Sequence, residues 1–225
     1  MNYEIKGQPY PVSVVHLNGG ESVNCQRGAM IWMTPNMEMA TNMGGSGFGG
    51  MLKRAVSGES IFQNTYTAKG DGMIAFGSSF PGEIKGMYLE PGQTIIAQKR
   101  AYLAAAPTVN FEVAFQKVGA GLFGGEGFIM QRFTGSGMLL LEIDGSVVEY
   151  ALAPGESMLI DNGFLAAMEG TVQMSVERVK GLGNVLAGGE GLTNVRVTGP
   201  GKIWLQTMPI NQFIDTIAGL LPVRG

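Results

Sequence analysis

The sequence predicts an all-β fold built from three tandem copies of one unit. Three observations carry that expectation: 36 glycines spread through 225 residues, short apolar runs of period two, and turn motifs that return three times in one order. Glycine at this density without a Gly-X-Y period excludes collagen and marks many tight chain reversals. Val109-Asn110-Phe111-Glu112-Val113-Ala114-Phe115 and Val172-Gln173-Met174-Ser175-Val176 each place one face against a core and leave the other wet.

The recurring motifs divide the chain. A turn appears as Leu17-Asn18-Gly19-Gly20-Glu21-Ser22, Leu89-Glu90-Pro91-Gly92-Gln93-Thr94 and Leu152-Ala153-Pro154-Gly155-Glu156-Ser157. Pro-Gly fixes one backbone angle and allows a positive φ at the next residue, which reverses the chain. Gly58-Glu59-Ser60, Gly125-Glu126-Gly127 and Gly189-Glu190-Gly191 follow, and then the Gly-x-Gly turns at Gly70, Gly135 and Gly199. Order and spacing, roughly 65 residues, are both kept, as true repetition requires. One domain over 1–225 is expected, with repeats at about 3–83, 84–146 and 147–208. Equal units could then share one core in a pseudo-threefold arrangement that hides their strand edges.

Two local features depart from simple repetition. Asp144-Gly145, between Leu139–Ile143 and Ser146–Leu152, predicts a β-hairpin with a type I′ turn. The third repeat lacks that hairpin. In its place Pro209 opens a helix over 209–222, with Ile210, Phe213, Ile214 and Ile217 on one stripe. Its expected task is to cover the edge left open by the missing hairpin.

These turns, the Gly-Glu-Gly elements and the run Gly199-Pro200-Gly201-Lys202-Ile203-Trp204-Leu205-Gln206 resemble the bacterial branch of the altered-inheritance-of-mitochondria family. The resemblance covers Tyr3 to Pro222. It implies three units of a short double-stranded β-helix or β-sandwich, similar in fold to the subunit of the trp RNA-binding attenuation protein. A mitochondrial relative is associated with inner-membrane organisation. The resemblance brings no catalytic residues and no cofactor, and fold alone does not transmit function.

Composition narrows the function. Charged residues are 15% of the chain, against about 25% in ordinary soluble domains, which suits a surface partly covered by a partner. A net charge of −3 and no basic cluster argue against nucleic acid. The lone Cys25 excludes an internal disulfide. Neither a signal peptide nor an apolar run long enough for a transmembrane segment is read, so a cytoplasmic protein is expected.

Individual candidates are sparse. Gly45-Ser46-Gly47-Phe48-Gly49-Gly50 and Gly119-Ala120-Gly121-Leu122-Phe123-Gly124 match a dinucleotide fingerprint, but no helix is expected after either, so they are read as turns. His16 and Cys25 are too few for zinc, and no Gly-x-Ser-x-Gly elbow accompanies His16. Glu59, Glu126 and Glu190 occupy matching positions and could form a carboxylate ring for a hard cation, although solvated rim positions are the plainer reading. Met37, Met39, Met43, Phe48, Met51 and Leu52 form an apolar set in and beside the long first-repeat loop, suited either to core filling or to partner contact. The expectation is a non-enzymatic scaffold or interaction protein, a homo-oligomer with a protein or peripheral membrane contact. The alternative is a small-ligand-binding module with a pocket between β repeats.

Overall fold

The computed structural model describes residues 1–42, 63–117, 128–178 and 193–220. The long first-repeat loop beyond Asn42, both dinucleotide-like segments and the three Gly-Glu elements lie outside the described residues. The rest is antiparallel β structure with one α-helix, an all-β fold.

The first seven strands are β1 (Asn2–Lys6), β2 (Val12–Leu17), β3 (Ser22–Gln26), β4 (Met30–Met33), β5 (Met37–Asn42), β6 (Gln63–Ala68) and β7 (Gly72–Gly77). Then come β8 (Gly82–Leu89), β9 (Ile95–Gln98), β10 (Tyr102–Ala105), β11 (Val109–Lys117), β12 (Phe128–Gly135) and β13 (Gly137–Asp144). The last set is β14 (Val147–Leu152), β15 (Ser157–Asp161), β16 (Leu165–Glu169), β17 (Gln173–Arg178), β18 (Thr193–Thr198) and β19 (Gly201–Gln206), followed by α1 (Ile210–Leu220).

One pairing scheme recurs along the chain. The order β2-β7-β4 returns as β8-β13-β10 and β14-β19-β16, and β3-β6-β5 returns as β9-β12-β11 and β15-β18-β17. Each pair of such three-stranded halves makes a module. Modules join edge to edge: β3 pairs with β10, with Cys25 opposite Ala104, and β9 pairs with β16, with Ala97 opposite Ala167. Two six-stranded sheets result, flanked by a four-stranded sheet that includes β1 and a three-stranded sheet ending in β15. The third joint that a closed ring would need, β4 to β15, is not among the described pairings.

The three recurring turns behave as the sequence requires. Gly20, Gly92 and Gly155 have φ of 88°, 87° and 79°, a region glycine enters without a Cβ clash. The expected Asp144 hairpin is corrected by the pairing. β13 gives both its edges to β8 and β10, while β14 pairs with β19. Gly145, at φ 73°, still reverses the chain, but the turn passes it from one sheet to another. Its N–H donates to Pro81 O at 3.1 Å, locking the crossing against the preceding linker.

Burial follows the joints. β10 and β16 sit between two partners and their apolar residues are buried, whereas in β4 Ile31 and Trp32 are half exposed. The core runs through both six-stranded sheets and includes Phe76, Phe133, Leu139, Leu140, Leu141 and Ala166. Phe133 lies 5.9 Å from the Tyr102 ring and 5.6 Å from Phe111, an aromatic group where side chains of neighbouring strands meet. Phe133→Ala removes a fully buried ring and should cost about 3–5 kcal/mol, read as a lower denaturant midpoint in equilibrium unfolding.

Candidate interaction surface

The sequence candidates scatter rather than converge. Glu59, Glu126 and Glu190 lie outside the described residues, as do Met43, Phe48, Met51 and Leu52. Met37 is buried in β5 and belongs to the core, while Met39 on the same strand is 55% exposed. His16 is exposed on β2, its Nε2 2.9 Å from Glu4 Oε1 on β1. Cys25 is fully buried, and burial pushes its thiol up to about 12, so it is held as an unreactive thiol. Among the described residues no three His, Cys, Asp or Glu side chains converge as a metal would need.

Exposed apolar surface is what the fold does present. The helix α1 buries none of its residues, and Phe213, Ile214, Ile217 and Leu220 are 40–80% exposed. It does not cover an open edge, contrary to expectation. Its first turn is held by three interactions, two of them with residues remote in sequence. Asp144 Oδ2 accepts from Ile210 N at 2.8 Å, Pro209 O accepts from Phe213 N at 3.2 Å, and the Phe213 ring meets Phe80 edge-on at 5.3 Å. A carboxylate at the first turn also complements the helix dipole. No helix among the described residues is long and apolar enough to cross a membrane.

Clefts formed by described residues include two with polar residues in their linings. One, of about 680 Å³, is lined by Gln93, Thr94, Glu112, Arg132, Thr134 and Glu169, and so bridges the second and third modules. The other, of about 460 Å³, lies beside Met1, His16, Asn18, Thr34 and Asp71 in the first.

Sequence reading missed a buried carboxylate. Glu142 is 6% exposed in a strand whose two faces are both covered. Its Oε2 accepts from Ser79 N at 2.6 Å, and Gln26 Nε2 donates to Oε1 at 3.4 Å. Gln206, at the matching place in β19, accepts from Asp144 N at 3.2 Å. In both cases a side chain near the end of a module's last strand grips the backbone just before the chain enters that module's first strand. Perturbed carboxylates mark functional sites often enough to be weighed as such, but here the carboxylate is buried and taken up by the Ser79 N–H and hydroxyl and the Gln26 amide, which fits an architectural role. Asp144, two residues on, is likewise raised by burial.

Glu149 is the opposite case. Lys202 Nζ at 2.8 Å, Trp204 Nε1 at 2.6 Å and Lys85 Nζ at 3.1 Å hold it near pKa 2. Its contribution to stability is present above the ordinary carboxylate value and is lost as pH falls through about 2. For Glu142, desolvation raises the carboxyl above its ordinary 4.5, against the Ser79 bonds. The fold therefore holds that proton more tightly than the unfolded chain does. Its contribution is full below 4.5 and is lost as pH rises through the folded value. Glu142→Gln keeps the acceptor for Ser79 without a charge. The variant should melt higher than the parent at neutral pH, with the gain vanishing below the ordinary carboxylate range when melting is followed against pH.

Comparison with known proteins places this architecture. Residues 3–208 match the family described as mitochondrial biogenesis AIM24. An uncharacterized protein of Streptococcus pyogenes serotype M6 is 31% identical over 227 aligned residues, spanning 98% of this chain and 90% of the relative. The crystal structure of a Streptococcus pyogenes protein superposes with a TM-score of 0.82 at 28% identity, covering 98% of this chain and 99% of that one. With a family match over nearly the whole chain and a solved relative of the same fold, the protein belongs to the mitochondrial biogenesis AIM24 family.

Proposed function

We propose that the protein is a non-enzymatic scaffold that docks a protein partner on the apolar stripe of α1, in a cytoplasmic setting. The observation that carries this reading is the stripe itself: Ile214, Ile217 and Leu220 stand in solvent, with Phe213 half exposed beside Phe80, on a helix anchored only at its base. Burying such side chains in a partner releases about 1.5–3 kcal/mol each, and a helix laid into an apolar groove is a recurrent recognition mode. The polar side of α1 carries Asn211, Gln212, Asp215 and Thr216 and no Lys or Arg. That favours a protein groove over an anionic lipid surface, which recruits basic helices. A photo-crosslinker at Ile214 in living cells should capture one discrete protein, and Ile217→Lys should abolish the capture with the melting temperature unchanged. Binding to phosphatidylcholine or phosphatidylglycerol vesicles in its place would make the helix a membrane contact. Neither capture nor vesicle binding would remove the basis of the reading.

A ligand-binding module is the second reading, favoured by the cleft between the second and third modules. Thr94, Thr134, Arg132, Glu112 and Glu169 offer hydroxyls and both signs of charge to a small polar molecule. A polar metabolite library should then raise the melting temperature of the parent but not of Arg132→Ala; no hit against the parent would eliminate this reading.

A further inference from the structure

The two terminal sheets are the halves of a sheet that the chain makes twice and leaves unmade once. Without β1, the first sheet is β2-β7-β4 and the last is β15-β18-β17. Each has the composition of one half of the six-stranded sheets, where β10 meets β3 and β16 meets β9. β4 corresponds to β10 and β16, and all three carry a bulge at the same place, before Trp32, Ala104 and Ala167. β15 corresponds to β3 and β9, since Ser22, Thr94 and Ser157 follow the same turn; the hydroxyls of Ser22 and Ser157 each lie 2.8 Å from those of Thr67 and Thr198. The edges of β4 and β15 that have no strand partner among the described residues are therefore the two sides of one joint.

Side chains on these edges fit that joint and not solvent. Ile31, Trp32 and Leu159 are 50%, 45% and 50% exposed, whereas their counterparts Leu103, Ala104 and Ile96 are 0%, 0% and 9% exposed. Charge points the same way. Proteins protect open sheet edges with charged side chains, especially lysine. Here the other outer strands do so: Glu4 and Lys6 on β1, Glu38 on β5, Lys85 on β8, Glu112 on β11, Glu149 on β14 and Glu177 on β17. β4, Met30-Ile31-Trp32-Met33, has no charge, and β15 has only Asp161 at its last position.

We propose that β15 of one chain pairs antiparallel with β4 of a second chain, so that the protein assembles head to tail by repeating its own internal joint. The register carries over from the two joints within the chain. Cys25 opposite Ala104, and Ala97 opposite Ala167, place Ile160 opposite Trp32 and Leu159 opposite Met33. Such a contact is heterologous, so it builds a ring if the rotation closes and a filament if it does not. The inference extends the scaffold reading to assembly but uses residues of β4 and β15 and none of the α1 stripe, so each can fail alone.

Three measurements on the full chain decide it. Light scattering should give the parent a mass at a multiple of 23.8 kDa that grows with concentration, and Ile217→Lys should leave that mass unchanged. Trp32→Lys and Leu159→Lys should each be monomeric alone, while an equimolar mixture should form a one-to-one dimer, because each variant keeps the edge the other has lost. A Met33→Cys, Leu159→Cys chain should form disulfides between chains on oxidation, since directly opposed strand residues lie within bridging distance and Cys25 is buried. This last test leaves Trp32 in place and so stands even where Trp32→Lys fails to fold. A monomeric parent, a disulfide formed within one chain, or assembly that survives in both lysine variants would overturn the proposal.

Discussion

Backbone hydrogen bonding across module boundaries is the interaction on which the rest of this structure depends. A module of two three-stranded halves has four lateral edges, and an unpaired strand edge is an exposed row of donors and acceptors. Joining β3 to β10 and β9 to β16 removes two pairs of such edges. It also converts half-sheets too small to bury both faces into six-stranded sheets with Leu139, Leu140 and Leu141 wholly inside. The paired registers are short, so the ladder bonds alone are not the stabilising term. What they do is align the halves so that apolar faces of successive modules become one core, whose burial at about 25 cal/mol per Å² dominates.

The linkers between modules are fixed by a second, polar device. Glu142 accepts from Ser79 N in the linker that leads into its module, and Gln206 accepts from Asp144 N at the end of β13, where the chain crosses into the third module. A buried backbone N–H without a partner is costly, so a side-chain acceptor at this place is demanded by the crossing from one sheet to the next. At the matching place in the first module stands Gly77, whose missing side-chain space is filled by Ile31. The end of β7 in the first module is thus apolar where β13 and β19 are polar.

Much of this architecture is legible in the chain, and the failures have a common cause. Period-two runs located strands because one face of each is wet, and Pro-Gly pairs located reversals because φ at Gly92 and Gly155 is a local property. The Asp144-Gly145 turn misled because a turn motif states that the chain reverses and not which strand edge is free; both edges of β13 were already taken. Glu142 escaped notice because an acid in an alternating strand is assigned to the wet face. The signal was present in Leu139-Leu140-Leu141-Glu142-Ile143, a run too continuously apolar for one wet face. The helix was read correctly as amphipathic, but periodicity reports a stripe and not what covers it.

The poverty of charge in this chain acquires a physical reading from the edges. Where charges occur on outer strands they form pairs such as Arg196 with Glu177 at 2.6 Å and Lys69 with Glu38 at 2.9 Å. Exposed pairs of this kind contribute little to stability, so their value lies in discouraging unintended strand pairing. Two edges and one helix face are left without that protection, and all three carry large apolar side chains. Of the perturbed carboxylates, Glu142 holds a linker, Asp144 holds the first turn of α1, and Glu149 holds two lysines and Trp204, so the charge pattern separates the guarded edges from the open ones.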